Sequence, residues 1–540
     1  MSQGNIRPVF PLLVILTILA LLSQTSAANK PAEEPVPGGT LRVKGFSDIF
    51  QPSLDPAKDT KIFVVEQIYD GLVRLDQNLN ILSSLAESWV ISEDGKRYTF
   101  YLKKGVRFHH GRELEAEDVK FSLERLVNKE TAGPCYQYFT WKVVGAQEYW
   151  EGKANDVEGF KVRDKYTFEI QWKYPYVPTL YLLSMDFCKI IPRDLVLAQG
   201  KNFFFRPSGT GPFKFAYWLR SPKLDIVGVR LERNNDYFGK RPYLEAIEFS
   251  PHYTLEHFLE KEIDIIPYIS KRLSETDCQV LENESVSTEF LGMSGHIWPL
   301  NRPAVRRAIS LGIDKKDVAK AAFRFDTVPQ VTNNYIPAKL PGFFPVDEKE
   351  GFNPEEAKNI LGQEGFPVGQ ESFPEGTEFP PLNIFFEQPR KDEDQKVYRV
   401  LRDQLAGLGI KLRMKYYKSS EDLKSLKEPY LVMIGWTMDF PDPENIVLPL
   451  FFSTSIMNLN LLHYSNPQLD ELVKKAETER SWTERISLFH KMEKILYADI
   501  AAIPLFSPKQ RLALQPQVRG AKVPPLGFSY LDASKIWLAK

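Results

Sequence analysis

A run of apolar residues from Tyr430 to Trp436 most restricts what this 540-residue chain can fold into. It follows the helix-breaking sequence Lys427-Glu-Pro429 and ends at Thr437, where the more polar sequence Thr-Met-Asp-Phe-Pro-Asp begins. An unbroken apolar segment of this length is typical of a strand buried on both faces, as in a parallel sheet covered by helices. We therefore expect an α/β fold, in which ligands bind beyond the carboxyl ends of the strands.

Two aspartates follow this predicted strand, and their neighbours predict different roles for them. Asp442 precedes Pro443-Glu444, a pattern typical of a helix N-cap with proline at the first helical position. Asp439 has no comparable local role, although capping of a loop before a proline-rich turn remains an alternative. Because it follows the end of a strand, Asp439 is the leading candidate for a contact with a ligand.

Helix and strand patterns alternate through the last half of the chain, which is typical of an α/β lobe. Helical spacing from Val397 to Leu408 precedes an alternating strand at 412–416, and the apolar strand comes next. Ser481-Trp-Thr-Glu484 matches a capping box at a helix start. Earlier in the chain, Asp94-Gly95 separates two alternating segments and predicts a β-hairpin, and Glu115 to Arg125 has helical spacing.

The composition and the motifs that are missing exclude several functions. The 69 Lys and Arg residues nearly balance 70 Asp and Glu residues without a basic block, which argues against nucleic-acid binding and general attraction to anionic membranes. The chain has no metalloprotease, serine-hydrolase or phosphate-loop motif. His109 and His110 are adjacent and would point to opposite faces of a strand, so a surface turn explains them better than a metal site. We therefore expect a binding protein, not an enzyme, with no metal or cofactor.

The first 28 residues have the pattern of an export signal. Arg7 is followed by an uncharged apolar run from Val9 to Leu22, which is shorter than the ~20 residues that a spanning helix needs. Small residues at 25–28 predict cleavage near Ala27 or Ala28, with an uncleaved anchor as the alternative. No cysteine follows the apolar run, so no lipid anchor is expected and the mature protein is predicted to be periplasmic.

The three cysteines, Cys135, Cys188 and Cys278, lie far apart in the sequence. They permit at most one disulfide, and their sequence positions leave their pairing state open.

Six segments along the chain share their order with one protein family. They are Leu85-Ala-Glu-Ser-Trp89, Asp94 to Gly111, Glu115 to Leu123, Gly209-Thr-Gly-Pro-Phe213, Val305 to Asp314 and Trp436 to Pro443. Together, from about Thr40 to the C-terminus, they resemble the family 5 extracellular solute-binding proteins, the peptide-binding receptors of ABC importers. The resemblance therefore covers nearly the whole mature chain.

The resemblance implies a two-lobed periplasmic-binding-protein type II fold that closes on its ligand, with an extra domain inserted into the first lobe. On that pattern, lobe one is discontinuous and comprises residues 29–49, 186–289 and 496–540. Residues 50–185 would form the inserted domain, and residues 290–495 would form lobe two. The protein is expected to act as a monomer that delivers its solute to an ABC transporter permease.

The resemblance also implies roles for individual residues. In peptide-binding relatives, the aspartate at the position of Asp439 pairs with the N-terminal ammonium of the peptide, and Trp436 belongs to the same motif. Arg390 lies near the position of a carboxylate-binding arginine, offset by a couple of residues. Met293 to Trp298 stands where the family usually has an asparagine, and Arg302-Pro303 replaces an acidic pair. A sugar, opine, metal chelate, haem or glutathione therefore remains an alternative to a peptide.

Overall fold

The computed structural model describes residues 33–45, 52–58, 62–131, 133, 135–323, 329–340, 343–346, 351–368, 377–387, 391–454 and 460–540. The predicted signal peptide, residues 1–28, lies outside the described residues, and so does the candidate ligand contact Arg390. Within the described ranges, no helix is long and apolar enough to cross a membrane.

A seven-stranded mixed sheet, here called the first sheet, joins the two ends of the chain. Strand Thr40–Lys44 lies at its centre, parallel to Ala246–Ser250 and to Ile265–Ile266. Strand Lys509–Leu514 runs antiparallel between Ile265–Ile266 and Gln279–Glu284. The order across the sheet is Gln279–Glu284, Lys509–Leu514, Ile265–Ile266, Thr40–Lys44, Ala246–Ser250, Ile226–Arg233 and Phe213–Arg220.

The apolar segment forms strand Tyr430–Thr437 in the middle of a six-stranded second sheet. Its alternate residues pack into two different cores: Tyr430 and Val432 into one, and Leu431 into the other. The predicted burial on both faces is therefore confirmed. The order across the second sheet is Gln330–Val331, Ala502–Ser507, Ser287–Met293, Tyr430–Thr437, Leu382–Glu387 and Leu412–Tyr417.

The second sheet is mixed, although the apolar run is typical of a parallel sheet. Strand Tyr430–Thr437 runs parallel to Leu382–Glu387 and antiparallel to Ser287–Met293. An apolar strand requires only that other residues cover both of its faces. This requirement does not depend on the direction of the neighbouring strands.

A four-stranded antiparallel sheet is formed entirely by residues of the predicted inserted domain. Its order is Ala86–Ile91, Arg97–Leu102, Thr167–Gln171 and Phe160–Asp164. The first two strands form the hairpin predicted at Asp94-Gly95, and Gly95 has the positive φ of 70° that such a turn favours. Two further strand pairs are Val73–Leu75 with Ile81–Ser83 and Val518–Arg519 with Trp537–Leu538.

Helices surround these sheets. The α-helices are Ile62–Ile68, Ala116–Leu126, Gln137–Thr140, Ala146–Trp150, Thr179–Leu183, Arg193–Gln199, Leu255–Leu259, Pro303–Leu311, Lys315–Ala322, Pro354–Gln363, Lys391–Ala406, Ser420–Lys424, Glu444–Phe451, Pro467–Thr478 and Trp482–Asp499. Short 3-10 helices span Asp186–Cys188, Gly200–Phe205, Lys271–Glu275, Phe528–Tyr530 and Ala533–Lys535. The helices predicted at Glu115 to Arg125 and at Val397 to Leu408 correspond to Ala116–Leu126 and Lys391–Ala406. The hydroxyl of Ser481 accepts the backbone N–H of Glu484 at 3.4 Å, as the capping pattern predicts.

The strand pairing bears on two limits of the predicted lobes. Strand Ala502–Ser507 pairs within the second sheet, although the family resemblance places residues 496–540 in lobe one. The chain returns to the first sheet only at Lys509–Leu514. Ser287–Met293 belongs to the second sheet although the predicted limit falls at residue 290. The division into domains stays a prediction.

Asp442 caps the helix that follows the apolar strand, but that helix begins one residue later than predicted. The helix is Glu444–Phe451, and Pro443 precedes it with φ −54° and ψ −24°. The carboxylate of Asp442 accepts the backbone N–H of Glu444 at 2.9 Å. Capping by Asp442 is therefore confirmed, while the predicted N-cap position is wrong by one residue, a normal uncertainty at helix ends.

Asp442 also has a partner far away in the sequence. Arg485, in helix Trp482–Asp499, donates to both oxygens of Asp442 at 2.7 and 2.8 Å, and neither side chain is more than 1% exposed. Arg485 further donates to the carbonyl oxygen of Ala476 at 2.8 Å. One buried guanidinium therefore connects the loop after the apolar strand to the last two long helices.

We expect Arg485→Met to destabilise the protein by about 3–5 kcal/mol, because Asp442 would keep a buried charge without its partner. The free energy of unfolding in urea measures this loss. Arg402→Met is the matched control, since Arg402 pairs with Asp403 on the surface with 48% of its side chain exposed, and exposed pairs contribute less than about 1 kcal/mol. Equal losses in the two variants would contradict the importance of the buried pair.

Candidate functional site

Asp439 lies two residues beyond strand Tyr430–Thr437 and contacts the predicted inserted domain. The hydroxyl of Tyr138 donates to Oδ2 of Asp439 at 2.7 Å. Asn445 donates from Nδ2 to the Tyr138 hydroxyl at 2.7 Å and to Oδ2 of Asp439 at 3.4 Å, and its Oδ1 accepts the Asp439 backbone N–H at 2.7 Å. The carboxylate is therefore held in place from both its main chain and its side chain.

Asp439 is a half-buried carboxylate without a cationic partner among the described residues. Burial raises its pKa, and the hydrogen bonds from Tyr138 and Asn445 only oppose this effect. Both donors are neutral, and no Lys, Arg or His among the described residues forms an ion pair with Asp439. By contrast, Asp442 and Glu444 have Arg or Lys partners at 2.7 Å. A cation brought by a ligand would supply the missing charge at Asp439.

A second carboxylate that forms no ion pair with any described residue, Asp186, lies in the same region. It accepts a hydrogen bond from the hydroxyl of Tyr530 at 2.9 Å. Burial, followed by the charge of Glu66, raises the pKa of Asp186 to about 7. Burial also raises the pKa of the Cys135 thiol, and Asp439 and Asp186 both add to that shift. Asp439 and Asp186 therefore both raise the pKa of the same thiol, and the region that contains them is acidic.

Aromatic rings and a polar cavity border the site. Tyr138 packs edge-to-face with Phe440 at 5.4 Å between ring centroids and stacks with Phe187 at 6.3 Å. Tyr530 and Glu66 line a cavity of about 250 Å³ together with Asp70, Lys189 and Tyr237. Aromatic rings therefore pack around Tyr138, and polar side chains line the cavity next to Tyr530.

Trp436 lies just before Asp439 and carries an unused hydrogen-bond donor. Its side chain is half-buried, and its indole Nε1 has no hydrogen-bond partner among the described residues. Strand Leu382–Glu387 pairs with residues 430–432, whereas Ser287–Met293 pairs with residues 431–437. Within the described ranges, residues 433–437 therefore pair with one strand, Ser287–Met293.

The site contains residues that sequence reasoning identified and residues that it missed. Asp439 and Trp436 lie together at the end of the strand, and the prediction for Arg390 falls outside the described residues. Tyr138 was missed because it is 301 positions away from Asp439 and has no local signal. Asn445 was missed too, although a lone amide in the apolar sequence that follows Glu444 was a usable signal.

All three cysteines, Cys135, Cys188 and Cys278, are free. The described part of the chain contains no group of three or more His, Cys, Asp or Glu side chains arranged to hold a metal ion.

Comparison with known proteins identifies the class. The family model described as bacterial extracellular solute-binding proteins, family 5 (Middle), matches residues 80–458. The chain is 25% identical over 540 residues to the dipeptide-binding protein of Escherichia coli (strain K12), with 95% of this chain and 96% of that protein covered. It is also 25% identical over 546 residues to heme-binding protein A of Haemophilus influenzae, with 95% of each chain covered.

A solved structure supports the same assignment. The ABC transporter-associated periplasmic binding protein DppA from Helicobacter pylori, in complex with the peptide STSA, has a TM-score of 0.71 and 26% identity, with 94% of this chain and 99% of that chain covered. The predicted two-lobed type II fold is confirmed. The chain belongs to the bacterial extracellular solute-binding proteins of family 5.

The raised pKa of Asp186 predicts how stability depends on pH. The folded protein holds a proton on Asp186 up to about pH 7, whereas the unfolded chain releases it near pH 4. The free energy of unfolding should therefore fall as the pH rises from about 4 to 7. Asp186→Asn should reduce this slope, as chemical denaturation at several pH values would measure.

Glu493 gives a matched control, because burial also raises its pKa to about 7 and it lies outside the site. Glu493→Gln should remove its own share of the slope, and the double variant should remove both. An unchanged slope in Asp186→Asn would show that Asp186 is ionised in the folded protein at neutral pH.

Proposed function

We propose that this protein is a periplasmic receptor that captures a peptide by its free N-terminal amine and delivers it to an ABC importer. One observation carries the proposal: Asp439 is half-buried, lies two residues beyond a central strand, and receives side-chain hydrogen bonds from the neutral Tyr138 and Asn445, with no ion pair among the described residues. An ammonium group provides the charge and the donors that this carboxylate lacks. A charge-assisted hydrogen bond of this kind contributes about 1.5–3 kcal/mol.

The peptide backbone would bind along the open edge of strand Tyr430–Thr437. A peptide added to a strand edge gains main-chain hydrogen bonds that are independent of its side chains. The unpartnered indole N–H of Trp436 supports this orientation, since a peptide carbonyl would accept from it. With the ammonium at Asp439, the chain would then extend past Trp436. The dipeptide-binding relative and the neighbour solved with a peptide support the same ligand class.

The charge of the site argues against haem, the ligand named for one relative. Haem carries two anionic propionates, which an ionised Asp439 without a cationic partner among the described residues would repel. A ligand with an exposed amine suits this site better.

The other parts of the proposal rest on family membership and on the N-terminal sequence. Family members are solute-binding proteins, and the chain carries no recognisable catalytic motif, so we assign it no enzymatic activity. We propose a monomer that contacts a permease and no nucleic acid. The segment before Ala27 and Ala28 would direct export to the periplasm.

Asp439→Ala should weaken binding of a free-amine tripeptide such as Ala-Ala-Ala at least about tenfold, because the buried ammonium would lose its countercharge. Isothermal titration calorimetry on ligand-stripped protein measures this change. N-acetyl-Ala-Ala-Ala is the matched ligand, and the wild type should bind it at least about tenfold more weakly than the free amine. Asp439→Ala should make little distinction between the two ligands, because the acetyl group and the mutation remove the same interaction. Undiminished affinity of Asp439→Ala for the free amine would rule out this role.

The export prediction has its own test. Protein recovered from the periplasmic fraction of a Gram-negative host should begin at Ala28 or Asn29, as N-terminal sequencing would show. A mature chain that still begins at Met1 would support the uncleaved anchor instead.

A further inference from the structure

Lys142 is a fully buried lysine of the predicted inserted domain whose charged partners both lie in the predicted second lobe. Its ammonium donates to Glu444 at 2.7 Å and to Glu477 at 3.0 Å, and only 1% of its side chain is exposed. It also lies 3.9 Å from the ring centroid of Tyr176, whose hydroxyl donates to the same oxygen of Glu444 at 3.1 Å. Burial disfavours the charge of Lys142, but Glu444 and Glu477 outweigh burial and raise its pKa.

Lys142 and the site residue Tyr138 belong to one short segment. Tyr138 lies in helix Gln137–Thr140, and Lys142 lies in the turn two residues after the end of that helix. Across the interface, Tyr138 contacts Asp439 and Lys142 contacts Glu444. One turn of the inserted domain therefore contacts both ends of the loop that carries Asp439.

The next residue along, Asn445, completes the connection. It follows Glu444 at the start of helix Glu444–Phe451 and bonds to both Tyr138 and Asp439. Because Lys142 holds Glu444, it also holds the helix turn from which Asn445 orients the Asp439 carboxylate.

We propose that Lys142 is a positioning residue that couples closure of the inserted domain onto lobe two to the placement of Asp439 for its ligand. Separating the two bodies would leave the ammonium of Lys142 and the carboxylate of Glu444 apart, and each would need water. The interaction is complete only when they are in contact, so it favours the closed arrangement. Its effect on closure does not depend on the ligand, whereas its effect on affinity rests on the proposed function.

The test compares the mature wild-type protein with Lys142→Met, which keeps the length of the side chain and removes the charge. Small-angle X-ray scattering on ligand-stripped protein should show a larger radius of gyration for Lys142→Met than for the wild type. Stopped-flow measurements with Ala-Ala-Ala should show a dissociation rate at least about tenfold faster, with a smaller change in the association rate. A general loss of structure would not separate the two rates in this way.

Lys120→Met is the matched control, since the ion pairs of Lys120 among the described residues are with Glu124 and Asp156, both within the predicted inserted domain. It should leave the radius of gyration and both rates unchanged. Glu477→Gln is the second variant in case Lys142→Met fails to fold, because it removes one partner of Lys142 and leaves Glu444. Glu477→Gln should increase the radius of gyration and the dissociation rate as Lys142→Met does, but by smaller amounts.

The outcomes separate the two proposals. A larger radius of gyration for Lys142→Met without any binding of Ala-Ala-Ala by the wild type would overturn the peptide proposal and support the role of Lys142 in closure. Tight binding of the peptide by the wild type, with the same radius of gyration and dissociation rate in Lys142→Met, would overturn the role of Lys142.

Discussion

The buried ion pair between Asp442 and Arg485 is the interaction on which the region around the site depends. It joins the loop after the central strand to helix Trp482–Asp499, and Glu444 extends it to Lys142 of the predicted inserted domain. Buried charges are costly unless every member has a partner, so this group is stable only when all the elements are assembled. These contacts hold the end of the short loop between Thr437 and Glu444, and Asp439 lies inside that loop.

Asp439 and Asp442 show how two aspartates three positions apart acquire opposite roles. Asp442 receives a bidentate guanidinium and a backbone N–H, so its charge is fully compensated. Asp439 is half-buried and receives side-chain hydrogen bonds only from the neutral Tyr138 and Asn445, so no cation among the described residues compensates its charge. The arrangement at Asp442 stabilises the fold, whereas the arrangement at Asp439 is suited to a cation supplied by a ligand. The difference lies in what the folded chain brings to each carboxylate.

Membership of family 5 explains why the fold has this form. A discontinuous first sheet, a central second sheet and an inserted antiparallel sheet place residues from distant parts of the chain around one site. In the proposed function, the strand edge and the half-buried carboxylate of Asp439 would contact the backbone and the amine, groups that every unmodified peptide shares.

Local sequence patterns determined the elements of this protein, and tertiary structure decided the partners of its charged side chains. The apolar run from Tyr430 predicted a central buried strand, Asp94-Gly95 predicted a hairpin, and the segment order predicted the family, since each signal lies within a few neighbouring residues. The same apolar run also predicted that Asp439 lies just beyond the end of the strand. Nothing near Asp439 could indicate Tyr138, and nothing near Asp442 could indicate Arg485, because these contacts join residues 301 and 43 positions apart. The periodicity of a sequence indicates which residues are buried. The partner of a buried charge depends instead on which distant segment the fold places against it.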